Sequence, residues 1–174
     1  MRRRRGAGVA AAVVSVVALV AAAVAWAEPS NRQVQMLDNC DGPSFNATIG
    51  PGTCVRNGGL TFEQFFAALS TGGAPSWRFS PGRLNVEAGG TITAVNRGGE
   101  FHTFTPVAAF GGGCVDELNG PLGLTPVPEC GVPGIFGTTG AGPGASVTTS
   151  SLGAGTQLFM CLIHPWMRTT VTVG

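Results

Sequence analysis

Residues Phe159 to Arg168 read FMCLIHPWMR and bring Cys161, His164 and Met167 within seven positions. The chain has only two histidines and five cysteines in 174 residues, so scarce side chains are concentrated here. On either side the sequence has the composition of strands. "TQLFMCL" runs into the stretch and "TTVTV" leaves it, both rich in β-branched or apolar residues. Cys161, His164 and Met167 therefore lie on a tight connection between two strands.

The same pattern continues upstream. From Trp77, "WRFSP", "RLNVEAG", "TITAVNRG" and "FHTFTPV" are short segments punctuated by Pro or Gly, and "ASVTTSSL" resumes the series. Residues 108–146 are rich in Gly and Pro and are bracketed by Cys114 and Cys130. A segment of this length inside a compact domain is expected to be a functional or covalently restrained loop. One helix is predicted at 61–70, "TFEQFFAALS". Thr61 caps it, Gln64 completes a capping box, and Phe62, Phe65, Phe66 and Leu69 share a face. Gly72, Gly73 and Pro75 end it. Residues 28–58 read as irregular and clipped by cysteines. The expected fold is all-β, a small antiparallel sandwich with the helix and the long loop as additions.

The N-terminus reads as an export leader. Arg2–Arg5 precede a small-apolar run from Gly6 to Val24, and Ala25-Trp26-Ala27 resembles a cleavage site before Glu28. The run is near the length of a membrane anchor, which is the alternative to cleavage. The expected organisation is a leader at 1–27, an N-terminal extension with one helix at 28–75, and a β domain at 76–174 carrying the insertion 108–146. Removing the leader takes four of the ten basic residues. Six arginines then face nine acidic residues, a net charge near −3. Such a chain offers no basic face for nucleic acid, and it would meet a membrane only through an uncleaved leader. Asn46-Ala47-Thr48 fits a glycosylation sequon.

Five cysteines in an exported chain invite pairing. The locally simplest of the three ways to pair four of them joins Cys40 to Cys54 and Cys114 to Cys130, leaving Cys161 free. Each bridge would restrain a loop with little to bury, for roughly 2–4 kcal/mol. Cys161, His164 and Met167 can then aim a thiolate, an imidazole and a thioether at one point. His102, the other histidine, supplies the second nitrogen. The result is a His₂Cys set with a weak axial thioether, which suits copper in both its oxidation states. Each residue has an ordinary alternative: a hydrogen-bonded strand histidine, a core methionine, an inert buried thiol. Their combination favours the metal, because a free thiol in an exported protein is a liability unless masked or used.

"CLIHPWMR" resembles the ligand loop of cupredoxins, and its Cys-x₂-His-x₂-Met spacing is nearest that of amicyanins. "FSPGRLNVEAGGTITAVNRGGEFHTFT" resembles the half of that fold that carries the first histidine ligand. The resemblance covers residues 77–107 and 145–174. It implies a Greek-key cupredoxin-like sandwich binding one copper ion, with His102, Cys161 and His164 in a trigonal plane and Met167 axial. It further implies that Thr103 ties its strand to the cysteine loop, with its N–H near the thiolate. Many cupredoxins carry Asn at that position. Asn96 is expected to brace the loop, although turn formation explains it equally. Pro165 and Trp166, flanking His164, are expected at a partner-docking surface, although plain core packing explains Trp166 nearly as well.

The function implied is single-electron transfer between protein redox partners in the periplasm, at the cell surface or outside the cell. A closed ligand set leaves no open metal position for catalysis, so no enzyme activity is expected. Two histidines are too few for a multicopper oxidase, and a single loop cysteine is too few for a binuclear centre. The alternatives are copper delivery without redox cycling and a cell-surface interaction module that retains the site.

Overall fold

The computed structural model describes residues 30–174; the leader expected at 1–27 lies outside them. Ten strands and four short helices follow the chain. They are β1 (Asn31–Leu37), α1 (Gly42–Thr48), α2 (Phe62–Ala68), β2 (Arg78–Ser80), β3 (Arg83–Val86), β4 (Thr91–Asn96), β5 (His102–Thr103) and β6 (Thr105–Val107). After these come α3 (Asp116–Asn119), α4 (Ile135–Thr139), β7 (Gly140–Ala141), β8 (Ser146–Thr148), β9 (Gly155–Met160) and β10 (Arg168–Val173).

One sheet runs β2-β1-β4-β8 and a second β3-β10-β9-β6, while β5 and β7 form a separate pair. Alternation explains which faces meet. Ile92, Ala94 and Asn96 of β4 are buried, as are Val34 and Met36 of β1 and Thr169, Val171 and Val173 of β10. Their period of two sends one face inward from each sheet. The apolar members join one core with Phe79, Phe104 and Phe159. The Phe104 and Phe159 rings stack at 4.4 Å.

Three expectations are corrected. The sandwich is mixed rather than antiparallel, since β1 runs parallel to β4 and β3 parallel to β10. Residues 30–58, read as irregular, are not: β1 lies between β2 and β4, so this part of the chain is built into the sheet. The extension expected at 28–75 holds two helices, α1 and α2, rather than one. In α1, Asp41 caps the helix by accepting from the Ser44 N–H at 3.1 Å, and a proline stands in the first turn. The predicted helix at 61–70 forms as α2 and a following 3₁₀ turn, Leu69–Thr71, with both arms of the Thr61–Gln64 capping box present.

The long loop packs against the sandwich. Val107, Val127, Met160 and Leu162 make a second small core with Phe110, Ile135 and Phe136. β9 therefore buries residues of both faces, Phe159 in the main core and Met160 in the second, which accounts for the continuous apolar run LFMCL. Disulfides join Cys40 to Cys54 and Cys114 to Cys130, and Cys161 is free and buried.

Candidate metal centre

β9 delivers Cys161 at its end, and the chain must reverse before β10 begins at Arg168. Two backbone bonds close that reversal: the Cys161 N–H donates to the Met167 carbonyl at 3.0 Å, and the Met167 N–H to the His164 carbonyl at 2.9 Å. His164 is thereby folded back over Cys161. His102 arrives from β5, held opposite Ala141 of β7. The Nδ1 atoms of His102 and His164 each lie 3.9 Å from Cys161 Sγ. All three donor atoms fall within 4.8 Å of one another, and all three residues are buried.

The donor set fits a transition-metal ion. Bonds of about 2.0–2.3 Å to nitrogen and sulfur in a trigonal plane require nitrogen–sulfur separations of roughly 3.7 Å. Met167 is fully buried on the same loop, in the main core. A second acidic and cysteine cluster, Asp38, Cys40 and Glu100, contains a sulfur already in a disulfide.

The surroundings hold each donor in place. The Thr103 N–H points at Cys161 Sγ from 3.5 Å, and Thr103 Oγ1 accepts from the Leu162 N–H at 2.8 Å, so β5 and the cysteine loop are bound together. Asn96 donates through Nδ2 to the carbonyls of Glu100 and Ala141, at 2.7 and 2.9 Å, and accepts from the Gly98 N–H at 2.8 Å. It fixes the turn leading into His102.

Sequence reading missed Asp38. Its carboxylate is buried at the end of β1, 2.8 Å from His102 Nε2. It also accepts the N–H groups of Gly99 at 2.9 Å, Glu100 at 3.0 Å and Cys40 at 3.3 Å. Gly98 is obligatory there, because any Cβ would collide with the Asp38 carboxylate. The arrangement turns His102 Nε2 into the donor and frees Nδ1 to face the sulfur. No local signature joins two residues 64 positions apart. Glu100 was also missed. It accepts from Trp77 Nε1 and lies 3.6 Å from His164 Nε2.

In the metal-free chain these contacts shift protonation. Burial alone would raise the Cys161 thiol, but the His102 and His164 imidazoles overcome it and hold the thiol well below its usual range. Burial opposes charge on His102 too, yet Asp38 and Cys161 raise it to about 9. Against burial, His102 and the Gly99 and Glu100 amides bring Asp38 down to about 2. Burial pushes Glu100 up, against the His164 charge and the Trp77 N–H.

The expected docking residues are covered. Pro165 is buried and Trp166 half-buried. The Trp166 indole donates to the Ala74 carbonyl at 3.1 Å. His164 itself is 2 % exposed. Phe65 of α2, Trp77 and Trp166 surround its ring, with centroids 6.0, 6.4 and 5.6 Å away. The physical reason is the N-terminal segment: α2 buries Phe65 against Phe45 and Trp77 and so lies over the histidine.

No protein-family profile and no curated protein sequence matches the chain. Among solved structures it is similar to a purple cupredoxin from Nitrosopumilus maritimus, at 15 % identity and a TM-score of 0.45, over 82 % of this chain and 99 % of that one. It is similar to a mutant fern plastocyanin at 15 % identity and a TM-score of 0.41, over the same shares of the two chains. It is also similar to a reduced amicyanin variant at 23 % identity and a TM-score of 0.36, over 56 % of this chain and 73 % of that one.

Proposed function

We propose that the chain is an exported cupredoxin-type carrier of single electrons, in which His102, Cys161, His164 and Met167 would hold one copper ion. The observation that carries this reading is the convergence of two Nδ1 atoms on the thiol of Cys161, the cysteine left out of both disulfides. Copper there supplies a one-electron Cu(I)/Cu(II) couple.

The chain's part is to hold the donors still and dry. Asp38 and Thr103 fix His102 and the cysteine loop, and burial of all three donors excludes water. With the donors held by second contacts, little rearrangement would accompany a change of charge. The closed, buried set supports a carrier over an enzyme, which needs an open metal position. It also supports a carrier over copper delivery, because ligand exchange between proteins requires an accessible thiol. The partners proposed are redox proteins.

The test is an optical spectrum of the copper-loaded protein. An intense visible copper–thiolate band is expected, reversible on reduction and lost in Cys161→Ser while the far-ultraviolet circular dichroism stays unchanged. A colourless Cu(II) form would overturn the reading.

A further inference from the structure

Leu162 directly follows the cysteine donor, and both polar groups of its backbone are engaged. Its N–H donates to Thr103 Oγ1 at 2.8 Å, and its carbonyl accepts the Cys114 N–H. Thr103 is itself propped from behind. Thr105 Oγ1 donates to Thr103 Oγ1 at 3.0 Å and lies 2.8 Å from Thr139 Oγ1. A threonine hydroxyl has one proton to give. Thr105 gives its proton to Thr103, so Thr139 is the donor in the second contact, in competition with its other acceptor, the Ile135 carbonyl at 2.7 Å. The hydroxyls form one directed chain from Thr139 through Thr105 to Thr103, which the Leu162 N–H meets at its inner end.

The chain is buried and its outer end is fixed. Thr103 and Thr105 are fully buried and Thr139 is half-buried. A buried hydroxyl without a partner is costly, so each threonine depends on the next. Thr139 ends α4, and the backbone sets it beside β5 and β6. Its carbonyl accepts the Phe104 N–H at 2.8 Å, and the following Gly140 pairs with Thr103. Thr139 and Cys114 both belong to the insertion 108–146. That insertion therefore grips the Leu162 backbone at both polar groups, directly at the carbonyl and through two hydroxyls and Thr103 at the N–H.

We propose that Thr105 and Thr139 are positioning residues for the Cys161 thiolate, through which the insertion 108–146 tunes the metal centre; the proposal rests on the copper reading. They act by holding Thr103, whose N–H faces Cys161 Sγ from 3.5 Å. A contact of that length is the first to weaken when the Thr103 side chain is free to turn. An N–H aimed at the sulfur favours the more electron-rich, reduced centre, since hydrogen bonding around the cysteine sulfur sets the potential of such a site. Breaking the hydroxyl chain therefore favours Cu(II).

The test compares Thr105→Val, which removes the hydroxyl at nearly constant shape, with Thr105→Ser, which keeps it. In the metal-free chain, hydrogen exchange of the Leu162 amide is measured against that of Ala94 in β4. It should quicken about three- to tenfold in Thr105→Val, the worth of one net hydrogen bond, and stay within about twofold of wild type in Thr105→Ser. In the copper-loaded protein at a fixed ambient potential, the Cu(II)/Cu(I) ratio should rise about three- to tenfold in Thr105→Val and the copper–thiolate band should move. Both should recover in Thr105→Ser. Thr139→Val, at the half-buried outer end, should change both readings in the same direction by a smaller factor, and it decides the matter if Thr105→Val does not fold. An unmoved ratio and band would overturn the proposal even with faster exchange, because the role would then be structural. So would unchanged exchange at Leu162, an effect in Thr105→Ser as large as in Thr105→Val, or equal acceleration at Ala94. The exchange measurement needs no metal, so a failure of the copper reading shows separately, as a wild type without a copper–thiolate band.

Discussion

Asp38 and His102 form the contact with the clearest consequences at the scale of single residues. The carboxylate faces the outer nitrogen of a histidine whose inner nitrogen faces the thiol. A fixed negative charge behind a ligand favours the more positive metal ion, so Asp38→Asn should raise the copper reduction potential. A loss of about 1.4 kcal/mol corresponds to about 59 mV for one electron, and voltammetry should find a rise on the order of 60–100 mV. In the metal-free chain the same pair contributes to stability. Asp38, lowered from 3.8 to about 2, contributes above its unfolded value, and that contribution is lost as pH falls through 2. His102, raised from 6.5 to about 9, contributes below 6.5, and that is lost as pH rises through 9. Thermal melts of wild type and Asp38→Asn should therefore differ most between about pH 4 and pH 6.5, with the difference narrowing as pH rises through 9 and the His102 contribution is lost. The three donors were visible in the sequence because they are rare residues at telling spacings. Asp38 was not, since nothing local marks an aspartate that pairs across 64 positions. Glu100 left a fainter trace, two residues before His102 and hence at the same phase of an extended chain.

The element that most changes the metal end is α2. Its start was legible as a capping box, and its apolar face as a run of phenylalanines. The surface it covers was not, because a face does not name what it packs on. Phe65 faces inward against Phe45, Trp77 and His164, whereas Phe66 stands exposed. The turn after it is equally tight: Gly73 has φ +107° and meets the Trp166 ring, leaving no room for a Cβ. Gly73→Ala should displace Trp166, with a shift in tryptophan fluorescence and a stability loss above about 1 kcal/mol. Phe65→Ala should cost about 3–5 kcal/mol in denaturant melts. β1 was misread because Val34 and Met36 are its only fully buried residues, set among exposed Asn, Arg and Gln, with Arg32 interrupting the apolar positions on their own face. The alternation was present but short, next to a cysteine-rich stretch that suggested a loop.

In the whole molecule, the sandwich is wrapped by two disulfide-tied segments that converge on the ligand loop. α2 covers it from the N-terminal side. From the other side, the Cys114 N–H donates to the Leu162 carbonyl, and Gly113 packs too closely on that carbonyl to admit a side chain. Strand positions from Arg78 onward were legible from Gly/Pro punctuation and β-branched runs, whereas the parallel pairing of β1 with β4 depends on contacts between distant segments. The Cys114–Cys130 bridge spans 16 residues. Its removal in the Cys114→Ser, Cys130→Ser double variant should cost about 3 kcal/mol, which lowers the midpoint by roughly 6–12 °C while the copper–thiolate band survives. The central claim is that one metal ion joins two histidine nitrogens and the Cys161 sulfur. X-ray absorption at the copper edge of the loaded protein tests it directly. The account predicts a single short sulfur contact at about 2.2–2.3 Å and two imidazole nitrogens at about 2.0 Å. A shell of nitrogen and oxygen alone, or one with two short sulfurs, would contradict it.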